Sequence, residues 1–170
     1  MRLLLDLAVL LFSLTLSFAS CQVMIFLIEG LLPESYFANN LRGLSVDMAV
    51  FRDLMKMRLP GLSKHLDHLQ YSNSEGIACY EPPLVNVFTL QWFLTLFSNC
   101  LPKNLVLRIW DLIFLEGNEI LIRSALAIWE YLTDKILSLK RYVLVFLLLK
   151  RAHKCFSTPH TQAAPTNFTL

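Results

Sequence analysis

The sequence predicts an all-α domain, an array of about six or seven helices packed on apolar faces. Three observations carry that expectation. Apolar residues recur at helical spacing along most of the chain, and no stretch of useful length alternates as a half-buried strand would. Pro33, Pro60-Gly61, Pro102 and Gly117 fall between the periodic segments rather than inside them. Trp92, Trp110 and Trp129, the three tryptophans of the chain, sit one each in successive helix-length segments between residues 84 and 132.

In chain order, residues 1–28 come first. Arg2 is a minimal basic start, and no charged residue occurs between Leu7 and Ile28. Three readings stay open at this point: a signal peptide or membrane anchor acting through residues 7–28, a buried core helix, or a start foreign to the domain. Pro33 followed by Glu34 suits a helix's first turn. Ser45 is placed to cap a helix running to about Arg58, with Asp47 in its first turn and Val46, Val50, Leu54 and Met57 on one face. After the break at Pro60-Gly61, Leu62, Leu66 and Leu69 mark a short amphipathic helix ending near Gln70. Tyr71 to Pro83 has no periodicity and reads as a surface loop.

Asn86 is a candidate N-cap for a helix from Val87 to Phe97 that is apolar nearly all round. Pro102 opens the next helix, which Gly117 is placed to close in a left-handed C-cap. Asn118 is a candidate cap for a third helix, with Leu121, Ala125, Ile128, Trp129 and Leu132 as its inward stripe. Beyond Thr133 the pattern weakens. Residues 142–149 are apolar but too short to span a bilayer, with Lys140-Arg141 and Lys150-Arg151 on either side. From Cys155 onward Ser, Thr, Pro and Ala dominate, which predicts disorder.

The chain is 55% hydrophobic and only 16% charged, so it is part of a larger core, membrane-associated, or both. A net charge of +2, without a basic run interleaved with aromatics, argues against nucleic-acid binding. Cys21, Cys79, Cys100 and Cys155 form no C-x-x-C pair, which fits reduced thiols in the cytoplasm; the secretory pathway follows only if residues 1–20 are a true signal peptide. His65 and His68 share a helical spacing, but Leu66 and Leu69 claim the inward face and no third metal ligand matches them. The Asn167 to Thr169 sequon has meaning only in a secreted chain. No nucleophile, acid–base pair or phosphate cradle stands out, so neither a small-molecule enzyme nor a bound cofactor is expected. Arg108 and Asp111 interrupt an apolar run three residues apart, as a structural ion pair or as a contact with a partner protein.

Several stretches carry a family resemblance: Leu32 to Phe37, Asp47 to Leu54, Tyr80 to Leu84, Gln91-Trp92-Phe93, Arg108 to Asp111 with Trp110 inside, and Glu116-Gly117. In this order they resemble the C-terminal half of a TBC domain, the helical module of Rab GTPase-activating proteins. The resemblance implies a partner, a Rab-type small GTPase loaded with GTP and magnesium, and a role in vesicle trafficking with no cofactor of its own. It also implies an arginine and a glutamine inserted in trans, from I-x-x-D-x-x-R and Y-x-Q motifs. Neither motif matches a position of this sequence, and Gln91 belongs to a different one. The expectation is therefore a catalytically incomplete module that at most binds. Gln91, Trp92, Phe93, Arg108, Trp110, Asp111, Glu116 and Gly117 are then mainly structural. The expected organisation is a hydrophobic segment over 1–21, a partial TBC domain over 22–138 and a divergent tail over 139–170. The alternative is a small membrane-anchored or secreted helical interaction protein.

Overall fold

The computed structural model describes residues 22–23, 25–33, 35–37, 39–74 and 84–150. A π-helical segment, Phe26–Leu31, and a 3-10 turn, Asn39–Leu41, lead into six α-helices. These are α1 (Arg42–Arg58), α2 (Pro60–Ser74), α3 (Leu84–Leu94), α4 (Lys103–Glu116), α5 (Glu119–Leu137) and α6 (Tyr142–Lys150). The described residues contain no strand, so the all-α expectation holds. Most of residues 7–28, the sequon and the segment from Cys155 lie outside the described residues. Among those described, no helix is long and apolar enough to cross a membrane.

Helix α5 is the hub. It packs against α1, α2, α3 and α4. Its expected stripe of Leu121, Ala125, Ile128, Trp129 and Leu132 is buried, and the stripe continues through Ile136, so the helix runs a full turn past Thr133. Trp92 from α3 meets Trp129 from α5 at 5.6 Å between ring centroids. Trp110 from α4 completes the set in the same buried cluster. Short links force this neighbourhood, since Gly117 and Asn118 alone separate α4 from α5.

Helix α1 departs from expectation at both its start and its face. It begins at Arg42, before Ser45, after Leu41 in the left-handed region and with no side-chain cap. Ser45 Oγ instead donates back to the Leu41 carbonyl at 3.0 Å. A neighbouring turn does the capping: the Gly43 N–H donates to the Ser35 carbonyl at 3.1 Å. Glycine suits that approach: a Cβ at Gly43 would lie 3.0 Å from Ser35 Oγ and 3.3 Å from the Tyr36 nitrogen, so the turn would have to give by a few tenths of an ångström. The buried face is Leu44, Met48, Phe51 and Met55, whereas Val46, Val50 and Met57 are exposed. Both stripes have helical spacing. The one carrying Phe51 goes inside, where its ring meets Phe93 edge-on at 5.9 Å.

Leu59 alone separates α1 from α2, which opens on Pro60 as a first-turn proline should. Leu62, Leu66 and Leu69 are buried as expected. The helix extends to Ser74, so Tyr71 to Ser74 is helical rather than loop; no Gly or Pro interrupts it before Gly76. Asn86 lies inside α3 rather than at its N-cap, and its Oδ1 is buried with no partner among the described residues. Helix α6 docks on α2. There the His65 Nε2–H donates to the Leu139 carbonyl at 3.0 Å, while Phe146 meets Phe88 of α3 at 5.3 Å.

Candidate functional site

The motif residues divide between the inside and the outside of the α3–α5 unit. Trp92, Phe93 and Trp110 are buried. Gln91, Arg108, Asp111 and Glu116 are exposed. The buried group shapes the turn between α3 and α4. Helix α3 stops at Leu94, short of the expected Phe97, in a Schellman-type end. The Phe97 N–H donates to the Trp92 carbonyl at 2.8 Å and the Leu96 N–H to the Phe93 carbonyl at 3.2 Å. Leu96 and Phe97 have φ of 46° and 64°, where glycine is the ordinary occupant. Both are completely buried, and the Trp110 Nε1–H donates to the Leu96 carbonyl at 3.1 Å. Thr95 adds a bond from its hydroxyl to the Gln91 carbonyl at 2.9 Å. Apolar burial and the indole thus hold a backbone that the local sequence disfavours.

The junction of α4 and α5 is set by Gly117 and Arg123. Gly117 has φ 93° and ψ −169°. Its φ is positive, as a glycine cap predicts, but its ψ is extended rather than left-handed helical. That region is essentially reserved for glycine. Its N–H donates to the Ile113 carbonyl at 2.9 Å. Asn118 occupies the N-cap position of α5 with helical backbone angles and makes no side-chain cap. Arg123 spans the junction instead, donating to Glu116 at 3.1 Å and to Glu119 at 3.3 Å. All three side chains are exposed, so the cluster is worth only a few tenths of a kcal/mol to about 1 kcal/mol.

Arg108 and Asp111 form no ion pair with each other or with any other described residue. They lie on the outer face of α4, opposite the buried Val106, Trp110 and Ile113. With Asn104 and Leu115 they make a stripe at helical spacing, and Leu115 is 80% exposed. Beside it Phe114 stacks on Phe26 of the π-helical segment at 6.0 Å. Sequence inspection picked out the two charges but missed Leu115 and Asn104. Their signal was the i, i+4, i+7, i+11 spacing on the side of α4 away from Trp110.

Among the described residues, no group in this region is arranged for covalent or metal chemistry. The Cys100 thiol is buried against the Phe97 carbonyl, and burial pushes its pKa far up, which keeps it protonated and unreactive. No three His, Cys, Asp or Glu side chains among the described residues gather as a metal site would. Tyr36 is buried with its hydroxyl unpartnered among the described residues; burial, then the nearby Asp47 charge, raises its pKa. Burial also raises the pKa of Asp47.

The Rab-GTPase-TBC domain family model matches residues 4–137. The chain belongs to that family. The chain is 65% identical over 116 residues to TBC1 domain family member 30 of Xenopus tropicalis and 63% identical over 116 residues to its Homo sapiens counterpart. Each alignment covers 68% of this chain and 13% of the relative. TBC1 domain family member 2A of Homo sapiens is 30% identical over 131 residues, 77% of this chain and 13% of that protein. The chain thus spans a small fraction of the length of the curated relatives it matches. No solved structure matches it. The family match ends at Leu137, the last residue of α5, so α6 lies beyond the TBC-matched span.

Proposed function

We propose that this chain is a Rab-GTPase-binding portion of a TBC-type activator, which docks through the outer face of α4 and supplies no transition-state residue itself. The family match over residues 4–137 carries the reading. The α4 stripe supports the choice of surface. Arg108 and Asp111 have no ionic partner among the described residues, and Leu115 is a large apolar side chain left in solvent. Arginine is enriched among the residues that anchor interfaces, and Leu115 on the same face adds exposed apolar area that a partner can cover. Among the eight motif residues, Trp92, Phe93, Trp110 and Gly117 act on this surface indirectly, by fixing both ends of α4.

The resemblance assigns acceleration of hydrolysis to an arginine and a glutamine from motifs that match no position of this sequence. An arginine given in trans offsets charge developing on the transferred phosphoryl group, worth roughly 10³- to 10⁵-fold in rate. Without it the chain binds but leaves hydrolysis at its intrinsic rate. This reading places the chain in the cytoplasm.

The test pairs binding with single-turnover GTP hydrolysis across a panel of GTP-loaded Rab proteins. The expected result is saturable binding to at least one Rab, weakened about tenfold or more by Leu115→Ala combined with Arg108→Ala, with no acceleration. Hundredfold stimulation would refute the catalytic part of the proposal. Binding indifferent to both substitutions would refute the surface.

A further inference from the structure

Helix α6 is apolar on both sides, and only one side is used. Val145 and Leu149 are buried against the domain and fix the helix's rotation. Val143, Leu144 and Leu147 are then 57%, 44% and 44% exposed, and the ring of Phe146 sits at the margin against Phe88. A surface helix ordinarily presents polar groups there. Residues 142–149 contain no Asp, Glu, Asn, Gln, Lys or Arg at all.

The charges that flank α6 along the chain from residue 139 onward have one sign. Lys140 and Arg141 are exposed at its start and Lys150 at its end, and Arg151 and Lys154 follow in the sequence. Residues 139–170 hold these five cations and no carboxylate side chain, although the whole chain carries only +2. Lys140 and Arg141 also stand at the positive end of the α6 dipole, where cations weaken a helix. Their position therefore opposes helix stability and favours an anion outside the molecule.

We propose that α6 is an interfacial membrane anchor, lying flat on an anionic lipid surface. Val143, Leu144 and Leu147 enter the boundary between headgroups and acyl chains, and Lys140, Arg141 and Lys150 meet the lipid phosphates. An apolar face bracketed by cations is the composition such helices use. The apolar run is too short to span: residues 142–149, between Lys140-Arg141 and Lys150-Arg151, measure about 12 Å as helix, against about 30 Å of hydrocarbon. A second copy of the chain is a poor occupant, because this face would bring two basic segments together. The anchor lies outside the family-matched span and the α4 stripe, so it stands independently of Rab binding.

The experiment is flotation of the full chain with vesicles of phosphatidylcholine alone or with about 30% phosphatidylserine, whose negative surface potential attracts basic segments. The chain should float with the anionic vesicles only and be released at about 0.5 M salt, where the screening length falls to a few Å. Lys140→Gln, Arg141→Gln and Lys150→Gln together should weaken binding about a hundredfold, at about fivefold per cation. Val143→Ser with Leu147→Ser changes only exposed positions, so helicity should persist while binding falls at least about tenfold. Equal flotation with neutral vesicles, or binding untouched by both variant sets, would overturn the proposal. So would a concentration-dependent dimer abolished by Val143→Ser with Leu147→Ser.

Discussion

Replacing Trp110 with phenylalanine isolates the clamp on the turn between α3 and α4. The substitution keeps an aromatic ring in a site that is 2% exposed and removes the Nε1–H bond to the Leu96 carbonyl. That carbonyl belongs to a residue at φ 46° and is followed by another at φ 64°. A left-handed backbone costs an L-residue about 1–2 kcal/mol, so the pair stores about 2–4 kcal/mol that the surroundings must offset. A buried carbonyl left without its donor costs about 1–3 kcal/mol. The smaller ring forfeits about 1 kcal/mol more in buried area. Trp110→Phe should therefore cost about 2–4 kcal/mol, approaching the 3–5 kcal/mol typical of full truncation to alanine. Trp129→Phe is the internal control. It also loses an indole bond, at 3.1 Å to Thr89 Oγ1, but a hydroxyl oxygen that loses its donor keeps an O–H of its own to give to a nearby backbone carbonyl, whereas a carbonyl has no such alternative. Its cost should be smaller, about 1–2 kcal/mol. Urea unfolding followed by far-UV circular dichroism reads both, and each kcal/mol also lowers Tm by about 2–4 °C in a chain of this size. A smaller loss for Trp110→Phe than for Trp129→Phe would show that the indole does not hold the turn.

Two further substitutions probe backbone and charge. Gly117→Ala should destabilise by about 1–3 kcal/mol in the same unfolding assay, and Gly117→Asn should not rescue it, because asparagine tolerates left-handed helical angles but not an extended ψ at φ 93°. Recovery with asparagine would mean the junction relaxes to an ordinary left-handed cap. Asp47 has a folded-state pKa raised by burial, so the fold binds its proton more tightly than the unfolded chain does. Its stabilising contribution is full below the ordinary carboxylate range and is lost as pH rises through the raised value. Asp47→Asn should then raise Tm modestly at neutral pH and leave it unchanged in acid below the ordinary carboxylate range; a Tm lowered at neutral pH would reveal a partner that stabilises the carboxylate.

Where a segment had one way to bury its apolar residues, the sequence was enough to read it. The Leu62, Leu66, Leu69 stripe of α2 and the Leu121 to Leu132 stripe of α5 each stand alone on their helix, and both are buried. The three tryptophans could be placed together for the same reason, since each is the largest apolar group of its segment and the links are short. In α1 two stripes competed, and spacing could not rank them. Asn86, Ser45 and Asn118 were read as caps from residue type, yet each helix end found another solution: a start upstream, a neighbouring turn or an arginine across the junction. Arg108 and Asp111 stood out because charges are rare in an apolar run, but their spacing fits an ion pair as well as a solvent stripe.

The sequence by itself determined the helical class, the central core and the family, because period, side-chain size and motif order are local properties of the chain. Only the tertiary structure decided which face of α1 turns inward, that α3 ends at Leu94 through two left-handed residues, and that Arg108, Asp111 and Leu115 share an open face. It also decided that α6 buries Val145 and Leu149 while leaving Val143 and Leu147 in solvent. Each of these depends on what a distant segment offers: the Phe93 ring beside Phe51, the Trp110 indole over Leu96, the His65 imidazole at Leu139. A residue's pattern shows that it can be buried or bonded; the neighbour that folding brings to it decides whether it is.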